Sequence, residues 1–437
     1  MIKNKIFIFE FLSGGGFQVN IPYSLFCEAY GMLKSIITDF KEIDFEISTL
    51  LDHRISFLSS YLKADSIKII KKEDNYLKEF KKLVKKCDFS FIIAPEFSNI
   101  LYDLTKIVRD NKKKILSIGL EGIRLGSSKI KTYNFFKNNN IFTPQTYLIP
   151  IRNNSLDLDF IIRKFNQLNS SIIIKPEDGV GAESIYYFET QYQIKKFFHE
   201  SNVNIDLKRN FILQEYVKGK DLSVSLIGFI NKLNAHDSYP LILSINSQDI
   251  NFKNLKEDSE YLGGYTPIRN NEKIAEQLAE ILQKLDLSMF NGYYGIDFLR
   301  KIDKSIYFIE INPRLTTSYI GIRNIIDKNI AELIFNSKFK FPNSRDLKIR
   351  NNSIFSKIEL NYIGNKNFNK IREEIIPKLA NKIPELVTPP IPFNNSPQNN
   401  NTRYSCFIAT KEKNLESSRK KVTKIIEIFK NADFKIN

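Results

Sequence analysis

The sequence predicts a protein of mixed α/β and α+β class, in which an N-terminal Rossmann-like domain precedes a larger mixed domain and a small C-terminal α+β region. The chain has 437 residues, enough for about three domains. Short apolar runs alternate with helical patterns near the N-terminus, as they do in βαβ units. Strand–turn–strand motifs with polar side chains concentrate in the middle. We therefore divide the chain into 1–118, 119–345 and 346–437.

The composition excludes several classes of protein. Hydrophobic residues make up 42% of the chain and charged residues 26%, as in a globular protein with a full core. The longest apolar runs are shorter than the ~18 residues that a membrane span needs, so no membrane partner is expected. The N-terminal run is interrupted by Glu10 and lacks a small-residue cleavage site, which favours a cytoplasmic location. The three cysteines and three histidines are dispersed and lack metal-like spacing.

The formal net charge of +16 favours anionic ligands. The lysines, however, are spread along the whole chain together with abundant Asn and Ile, which indicates a compositional bias of the source genome. We therefore expect anionic small molecules, and not nucleic acid, as partners.

The N-terminal domain is predicted from strand-like runs and helical patterns: strands at 6–11, 89–97 and 113–120, and helices at 21–41 and 76–87. Polar loops follow two of the strands directly, Gly14–Gly16 after the first and Pro95-Glu96 after the second. Because ligands of open α/β sheets bind beyond the carboxyl ends of the strands, these loops are expected to share one crevice. The triglycine has neither the Lys-Ser/Thr of a P-loop nor the spacing of a dinucleotide fingerprint, so we assign it to a substrate.

The stretch YYGIDFLRKIDKSIYFIEINPR (293–314) is the most informative part of the sequence. It predicts two strands, 294–299 and 306–312, because apolar residues recur in each. The intervening KIDKS predicts a tight turn centred on Asp303-Lys304.

This hairpin would bring two acids together. Side chains two residues apart share one face of a strand. Glu310 and Asn312 are therefore expected to point the same way, opposite to Tyr307, Ile309 and Ile311. The turn places Asp297 directly across from Glu310, where two carboxylates repel each other. A bound Mg²⁺ would remove this repulsion, since carboxylate and amide oxygens suit it as ligands. An exposed hairpin with scattered polar residues is the plain alternative.

Three further stretches carry residue types that suit a nucleotide. SSIIIKPEDGVGAESIYYF (170–188) predicts a strand ending near Lys175, an acidic glycine-bearing loop that can approach phosphate oxygens, and a second strand. FILQEYVKGKDLSVSLI (211–227) predicts two strands joined by a turn. LGSSKIKTYNFFKNNNIFTPQTY (125–147) predicts a serine-capped helix with Lys129 in its first turn, where a nearby anion would offset the helix dipole. Ordinary glycine turns and a solvated lysine are the alternatives.

The C-terminal region is predicted from apolar runs separated by a biased segment. Strands are expected at 353–363 and 404–410, a helix near 368–380 and a basic helix at 415–430. The Pro- and Asn-rich segment 387–403 is predicted to be a flexible loop.

The order and spacing of the four polar stretches resemble the ATP-grasp superfamily, which includes D-alanine–D-alanine ligase and biotin carboxylase. The resemblance spans residues 1–340 and implies an ATP-grasp fold that uses ATP and two Mg²⁺ ions, for which Mn²⁺ can substitute. It implies that two lysines, a closing loop, an adenine slot and a ribose acid bind the nucleotide: Lys129, Lys175, Asp178, Gly179, Gly181, Gln214, Glu215, Tyr216, Val217 and Asp221. It implies metal ligation by Asp297, Glu310 and Asn312, and catalytic roles for Arg314 and Lys175 at the transferring phosphoryl group.

Three positions depart from the superfamily pattern. Asp221 stands where Glu is common, Ser128 stands where Asp often precedes the first lysine, and Ala182 replaces a third loop glycine. A narrower similarity, carried by FEFLSGGG, APEFSNILYDL, SSKIKTY and EINPRLTTS, resembles a branch of ATP-grasp ligases that includes the tyramine–glutamate ligase of methanofuran biosynthesis.

The resemblance implies a reaction in which a substrate carboxylate attacks the γ-phosphate and an amine then converts the acyl phosphate to an amide. The expected partners are a small carboxylate and an amine, preferably glutamate and a tyramine- or tyrosine-like amine; a homo-oligomer is left open. Polar residues that the nucleotide does not use are assigned to the substrates: Glu10, Gly14, Gly15, Gly16, Glu96 and Arg269. Two alternatives stay open, a bicarbonate-activating enzyme and a non-catalytic nucleotide-binding protein.

Overall fold

Four main β-sheets organise the chain in a computed structural model, which describes residues 3–17, 23–179, 185–200, 205–229, 239–251, 260–339, 347–392 and 402–436. One sheet is parallel and has five strands. The other three are antiparallel, with four, four and six strands. Helices accompany each of them, which confirms the predicted mixed class.

The N-terminal domain is a parallel sheet flanked by helices. Its strands are β1 (Lys5–Glu10), β2 (Glu46–Asp52), β3 (Ser66–Ile70), β4 (Phe89–Ile93) and β5 (Lys114–Ile115), and its helices are α1 (Tyr23–Glu42), α2 (Tyr76–Lys86), α3 (Ile100–Asp110) and α4 (Leu120–Gly126). Two 3₁₀ helices span His53–Tyr61 and Phe97–Asn99. The strand order is β3-β2-β1-β4-β5, so β1 and β4 are neighbours where the order reverses. The crevice beyond their carboxyl ends is where such sheets bind ligands.

Most of the predicted N-terminal elements are confirmed. The strand expected at 89–97 ends at Ile93, and Phe97 begins a 3₁₀ helix. The run 113–120 was expected to be a strand, but only Lys114–Ile115 pairs with β4, and helix α4 begins at Leu120. Leu116 and Ile118 are nevertheless fully buried. The apolar residues therefore fill the core from a loop at the sheet edge, and this is why the pattern suggested a longer strand.

The middle of the chain folds into two antiparallel sheets. Its helices are α5 (Lys129–Asn138), α6 (Leu158–Leu168), α7 (Gln191–Glu200), α8 (Asn271–Leu282), α9 (Tyr319–Ile322) and α10 (Ile330–Ser337). Its strands are β6 (Thr146–Ile149), β7 (Ile151–Arg152), β8 (Ser155–Leu156), β9 (Ile172–Pro176), β10 (Tyr186–Phe188), β11 (Phe211–Glu215), β12 (Lys220–Gly228), β13 (Leu241–Ser247), β14 (Asp249–Asn251), β15 (Glu260–Thr266), β16 (Gly292–Arg300) and β17 (Ile306–Asn312). One sheet has the order β10-β9-β11-β6 and the other β13-β12-β16-β17, with β7 and β8 forming a separate ribbon.

A six-stranded sheet joins the middle of the chain to its C-terminal region. It takes in β14 and β15 together with β18 (Ser353–Tyr362), β19 (Leu386–Pro392), β20 (Arg403–Ala409) and β21 (Phe434–Ile436). The accompanying helices are α11 (Phe368–Lys370), a π-helical turn (Ile371–Ile375), α12 (Ile376–Lys382) and α13 (Leu415–Lys430). Among the helices in the described ranges, none has the length and apolarity that a bilayer crossing requires.

The Pro-rich segment is not a loop at its start. Residues 386–392 form the edge strand β19, whereas 387–403 was predicted to be a loop; 393–401 lie outside the described residues. An edge strand tolerates proline because one of its sides needs no N–H donor, and two register shifts against β20 absorb the irregularity. Thr388 Oγ1 also donates to the Cys27 carbonyl oxygen at 2.7 Å, which fixes β19 against α1.

Helix α1 ties the N-terminal domain to the middle of the chain through a buried ion pair. Asp39 is 3% exposed and accepts hydrogen bonds from Tyr319 Oη at 2.5 Å and from Arg323 Nε at 2.9 Å. Tyr319 is fully buried in the same core as α1. The carboxylate is thus satisfied by a cation and a hydroxyl from one short helical segment.

Replacing Asp39 with Asn should lower the free energy of unfolding by about 3 kcal/mol, because it leaves a mostly buried guanidinium without its counter-charge. Urea denaturation would measure this change. Asp110→Asn, at an exposed pair with Arg109, should change it by less than about 0.5 kcal/mol. Equal effects of the two substitutions would show that the interface does not depend on this pair.

Candidate functional site

The hairpin of β16 and β17 carries two acids that face each other. Asp297 pairs with Glu310, as predicted, although the pairs nearer the turn, Arg300 with Ile306 and Phe298 with Phe308, are centred on Asp303 and not on Asp303-Lys304. The register shifts by one residue just beyond this pair, because β17 contains a bulge after Phe308. The bulge brings Phe308 and Ile311 into one core cluster, so the prediction that Tyr307 shares a face with Ile311 is wrong.

Two amide side chains hold Asp297. Gln248 Nε2 donates to its Oδ1 at 2.9 Å, and Asn312 Nδ2 donates to its Oδ2 at 3.0 Å. Burial, and then the charge of Glu310, raises the pKa of Asp297 above its ordinary value. Two carboxylates and the Asn312 carbonyl oxygen are oxygen ligands of the kind that Mg²⁺ accepts, so the side chains present fit this ion. Within the described ranges, no group of three or more His, Cys, Asp and Glu side chains offers an alternative site.

Two lysines lie against these acids. Lys129 Nζ is 3.2 Å from Glu310 Oε2 and donates to the Gly179 carbonyl oxygen at 2.5 Å. Burial lowers the pKa of Lys175 to about 8, although the charge of Glu310 opposes this shift. Burial raises the pKa of Glu310, but Lys129 and Lys175 together hold it below its ordinary value. Cations and anions therefore alternate across the site, as the binding of a polyphosphate with its metal ion requires.

Helix α5, which carries the first lysine, begins with the predicted serine cap. Ser128 Oγ accepts a hydrogen bond from Lys131 N at 3.2 Å and donates to the Glu177 carboxylate. Ile130 N also donates to that carboxylate, at 3.4 Å. Glu177 thus places a negative charge at the helix N-terminus, where the dipole favours it, and this offsets the unfavourable position of Lys129.

The loop after β9 is tied to the N-terminal domain by an aspartate. Asp178 accepts hydrogen bonds from Arg209 Nε at 3.0 Å and from Ser98 N at 3.1 Å. A Cβ added at Gly179 would lie 3.2 Å from the preceding proline, so the chain turns where a side chain would be crowded. Gly181 lies outside the described residues. The phosphate contacts assigned to this loop stay a prediction.

The first two residues assigned to the adenine slot are engaged in protein contacts. Gln214 is buried, and its Nε2 donates to Thr146 Oγ1 at 2.9 Å. Glu215 Oε2 accepts a hydrogen bond from Gln145 N at 3.1 Å. These bonds fasten the end of β11 to the segment that leads into β6.

The next two residues link the two central sheets. Tyr216 N donates to Ser171 O at 2.9 Å, and the Tyr216 ring lies 4.8 Å from the Tyr187 ring. Val217 follows in the half-buried link between β11 and β12. Asp221 lies at the start of β12, and burial raises its pKa. The position between two sheets is the one expected of a nucleotide slot, and the contacts themselves stay a prediction.

Arg314 follows β17 and is held by the N-terminal domain. Its Nε lies 2.9 and 3.1 Å from the two carboxylate oxygens of Glu96, and the side chains of Arg314 and Glu96 are 16% and 6% exposed.

Glu10 ends β1 and accepts hydrogen bonds from Ser13 N at 2.6 Å and from Leu12 N at 3.2 Å. Burial raises the pKa of Glu10 to about 7, while these hydrogen bonds and the charge of Arg314 oppose the shift. Both predicted substrate acids therefore lie at the crevice of the parallel sheet.

The triglycine forms a tight turn packed against aromatic side chains. A Cβ at Gly14 would lie 2.3 Å from Phe9, and one at Gly16 would lie 2.4 Å from Phe11. Gly15 has a φ of +83°, which side chains disfavour. Packing thus accounts for all three glycines without a ligand, and their role in a substrate pocket stays a prediction.

Three residues of the site were absent from the sequence-based set. Gln248, Glu177 and Arg209 each bond a residue that the sequence had singled out. Glu177 had a usable signal, an acid two residues after Lys175 at a strand end. Gln248 and Arg209 are remote in sequence from the residues that they bond, so no local pattern in the sequence pointed to them. Arg269, assigned to a substrate, lies exposed on the turn between β15 and α8.

Comparisons with known families agree with the domain order seen here. Residues 45–123 match the pre ATP-grasp 3 domain, and residues 126–318 match the ATP-grasp domain. These two stretches contain strands β2 to β5 of the parallel sheet and most of the two central sheets. They also contain both lysines, the opposed acids, Glu96 and Arg314, whereas Glu10 precedes them.

Curated relatives resemble at least three quarters of the chain, and a solved structure resembles nearly all of it. The tyramine–L-glutamate ligase of Methanocaldococcus jannaschii is 28% identical over 80% of this chain and 93% of its own. The corresponding ligase of Methanocaldococcus fervens is 29% identical over 75% of this chain and 92% of its own. A biotin carboxylase from Campylobacter jejuni, solved as a complex with a β,γ-ATP analogue, has a TM-score of 0.64 at 13% identity and covers 99% of this chain and 92% of its own.

Removing the charge of Asp297 should stabilise the metal-free protein more at pH 8 than at pH 5. A carboxyl group whose pKa is raised on folding loses its proton more readily in the unfolded chain than in the folded one. Its ionisation therefore lowers the free energy of unfolding as the pH rises. The stability of Asp297→Asn relative to wild type, measured by urea denaturation in EDTA, should therefore rise by roughly 1–2 kcal/mol between these pH values.

The matched control is Asp303→Asn in the exposed turn of the same hairpin, whose carboxyl pKa is lowered by hydrogen bonds to Ser305. Its stability relative to wild type should not change between pH 5 and pH 8. If the stability of Asp297→Asn relative to wild type is also the same at both pH values, the repulsion between Asp297 and Glu310 is contradicted.

Proposed function

The chain belongs to the ATP-grasp superfamily and is an ATP-dependent carbon–nitrogen ligase, and we propose that it joins glutamate to a tyramine- or tyrosine-like amine. The observation that carries this proposal is the opposition of Asp297 and Glu310 beside Lys129 and Lys175. The choice of substrates is supported by two relatives that are tyramine–L-glutamate ligases and match 80% and 75% of this chain.

The reaction that we propose has two steps. A carboxylate oxygen of glutamate bonds to the γ-phosphorus of ATP as the bond to ADP breaks. The ammonium group of the amine gives one proton to solvent, and its nitrogen then bonds to the acyl carbon as the bond to phosphate breaks. The nitrogen releases one further proton and keeps one as the amide N–H. Neither step needs an oxidant or reductant, so the protein's task is to position the reactants and balance their charge.

The residues of the site suit these tasks. Lys129 and Lys175 would hold phosphate oxygens, and Asp297, Glu310 and Asn312 would hold Mg²⁺. When bound, Mg²⁺ neutralises phosphate charge and so allows an anionic carboxylate to approach.

Two further residues suit the transfer itself. Arg314 has its Nε fixed by Glu96, and its remaining N–H groups can donate to the transferring phosphoryl group where charge develops. The hydrogen bond from Ser98 N to Asp178 holds the start of the loop after β9 against the N-terminal domain. This contact would limit the access of water to the acyl phosphate.

Purified protein with Mg-ATP should release ADP only when both glutamate and an amine such as tyramine are present, and the product should have the mass of their amide. Glu310→Gln should abolish this release, because it removes one of the two charged metal ligands. ADP release stimulated by bicarbonate alone would point to the carboxylase-like alternative. Normal turnover by Glu310→Gln would contradict the metal assignment.

Glu96→Gln should lower kcat about tenfold and change the KM for ATP little, because Arg314 keeps its charge but loses its anionic anchor. Steady-state ADP release with saturating substrates would measure the change. Glu121→Gln, an exposed acid in the first turn of α4, is the matched control and should leave kcat unchanged. A rise in the KM for ATP with an unchanged kcat would show that Glu96 acts on nucleotide binding and not on Arg314.

A further inference from the structure

The segment from Arg314 to the end of helix α9 is anchored by an ion pair at each end. Glu96 holds the Arg314 guanidinium at 2.9 Å, and Asp39 accepts a hydrogen bond from Arg323, just beyond α9, at 2.9 Å. Residues 315–318 lie between these pairs and read LTTS, so three of the four carry a hydroxyl group. Both acids belong to the N-terminal domain. The two pairs therefore do not by themselves set the distance from Arg314 to the sheet of the opposed acids.

Two of these hydroxyl groups form a closed ring with two hydroxyl groups of that sheet. Tyr293 Oη, on β16, is 3.0 Å from Ser225 Oγ, on β12, and 2.9 Å from Thr316 Oγ1. Ser318 Oγ is 2.8 Å from Thr316 Oγ1 and 3.2 Å from Ser225 Oγ. Ser225, Tyr293 and Ser318 are buried. We call these four side chains the hydroxyl ring.

The direction of each hydrogen bond follows from the number of hydrogens. Tyr293 Oη donates to Ser225 Oγ, which also accepts from Asn246 Nδ2 at 3.2 Å. The Ser225 hydrogen is therefore left for Ser318 Oγ. By the same count Ser318 donates to Thr316 Oγ1, and Thr316 donates to Tyr293 Oη. Each member gives its one hydrogen to the next, and bonds in such a chain polarise and strengthen one another.

The hydroxyl ring lies directly beside the proposed metal ligands. Gly295 on β16 pairs with Asn312 on β17. A Cβ added at Gly295 would lie 2.9 Å from Thr316 Cγ2, so the glycine leaves the room that Thr316 needs to lie against the sheet. Asp297 is two residues further along the same strand and therefore on the same face. The ring thus fastens the loop to the strand that presents one of the opposed acids.

We propose that the members of the hydroxyl ring are positioning residues that hold Arg314 at a fixed place relative to the opposed acids. The inference rests on the proposed function, in which Arg314 donates to the transferring phosphoryl group. A side chain that acts in the transition state must be held closely in place, because a small displacement slows the reaction without weakening the binding of substrates. Neutral hydroxyl groups suit this task, since they fix the loop and leave the balance of charge at the site unchanged.

Tyr293→Phe removes one hydroxyl group from the hydroxyl ring and keeps the aromatic carbon atoms, so the fold should be preserved. It should lower kcat about tenfold and leave the KM for ATP unchanged, because the loop of Arg314 loses an anchor and the two phosphate lysines do not. Thr316→Val, which keeps the shape of the side chain, should have the same effect. Steady-state ADP release with saturating substrates would measure both.

The neighbouring Tyr294 is the matched control. It is fully buried on the opposite face of β16, in a separate core cluster, and its hydroxyl group has no hydrogen-bond partner among the residues that the structure describes. Tyr294→Phe should therefore leave kcat unchanged. Equal rates for Tyr293→Phe and wild type would overturn the proposal, as would equal losses in the two variants.

A double-mutant cycle separates positioning from a general loss of structure. If the hydroxyl ring acts through Arg314, Tyr293→Phe should cost little further rate in a chain that already carries Arg314→Lys, because the group being positioned is gone. If the two losses multiply, the ring acts independently of Arg314 and the proposal is overturned.

Amide hydrogen exchange gives a readout that needs no substrate. Residues 315–318 should exchange about tenfold faster in Tyr293→Phe than in wild type, and at the wild-type rate in Tyr294→Phe. Unchanged exchange in Tyr293→Phe would overturn the hydroxyl ring as an anchor and leave the ligase function standing. Faster exchange in this variant, with no turnover of glutamate and tyramine by wild type, would support the anchor and refute the proposed substrates.

Discussion

Two negative charges placed face to face in a half-buried β-hairpin are the constraint on which the rest of the site depends. Asp297 and Glu310 would destabilise the sheet if nothing balanced them. Lys129 balances one of them at 3.2 Å, and two amide groups donate to the other. The compensation is unequal, because it lowers the pKa of Glu310 and leaves that of Asp297 raised. The remaining imbalance is what a divalent cation would remove.

The N-terminal domain completes this site through the segment that follows β4. Glu96 fixes Arg314, and two residues later Ser98 N bonds Asp178 of the phosphate loop. Ser98 and Asn99 both have a left-handed backbone, with φ of 53° and 59°, which costs energy outside glycine. Strain at a segment that contacts both Arg314 and the loop after β9 is maintained only because the surrounding contacts determine it. The parallel sheet thus contributes contacts to the candidate site.

Local patterns in the sequence predicted most of this arrangement, and distant contacts account for the rest. The prediction correctly opposed Asp297 and Glu310, but the turn alone does not. The pairs next to the turn, such as Arg300 with Ile306, would place Asp297 opposite Ile309, and the bulge after Phe308 moves Glu310 there. The bulge in β17 could not be foreseen, because packing and not alternation decides which residues it places in the core. The link from Arg314 to Glu96 spans 218 residues, and no spacing rule reaches that far. The prolines of β19 led to the wrong prediction of a loop, again because the deciding contacts are distant in sequence. The strand is stabilised by pairing with β20 and by the contact with α1.

Charge is distributed along the site in a way that orders the reactants. Lysines at one end suit phosphate, and Arg314 with the opposed acids occupies the centre, where phosphoryl transfer would take place. Glu96 and Glu10 lie at the carboxyl ends of β4 and β1, where Glu96 holds Arg314 and the charge of Arg314 acts on Glu10. Under the proposed function, a substrate that carries both a carboxylate and an ammonium group would be oriented by these charges before it makes any shape-specific contact. The reversed orientation would place its ammonium group among the lysines, and electrostatic repulsion would disfavour it.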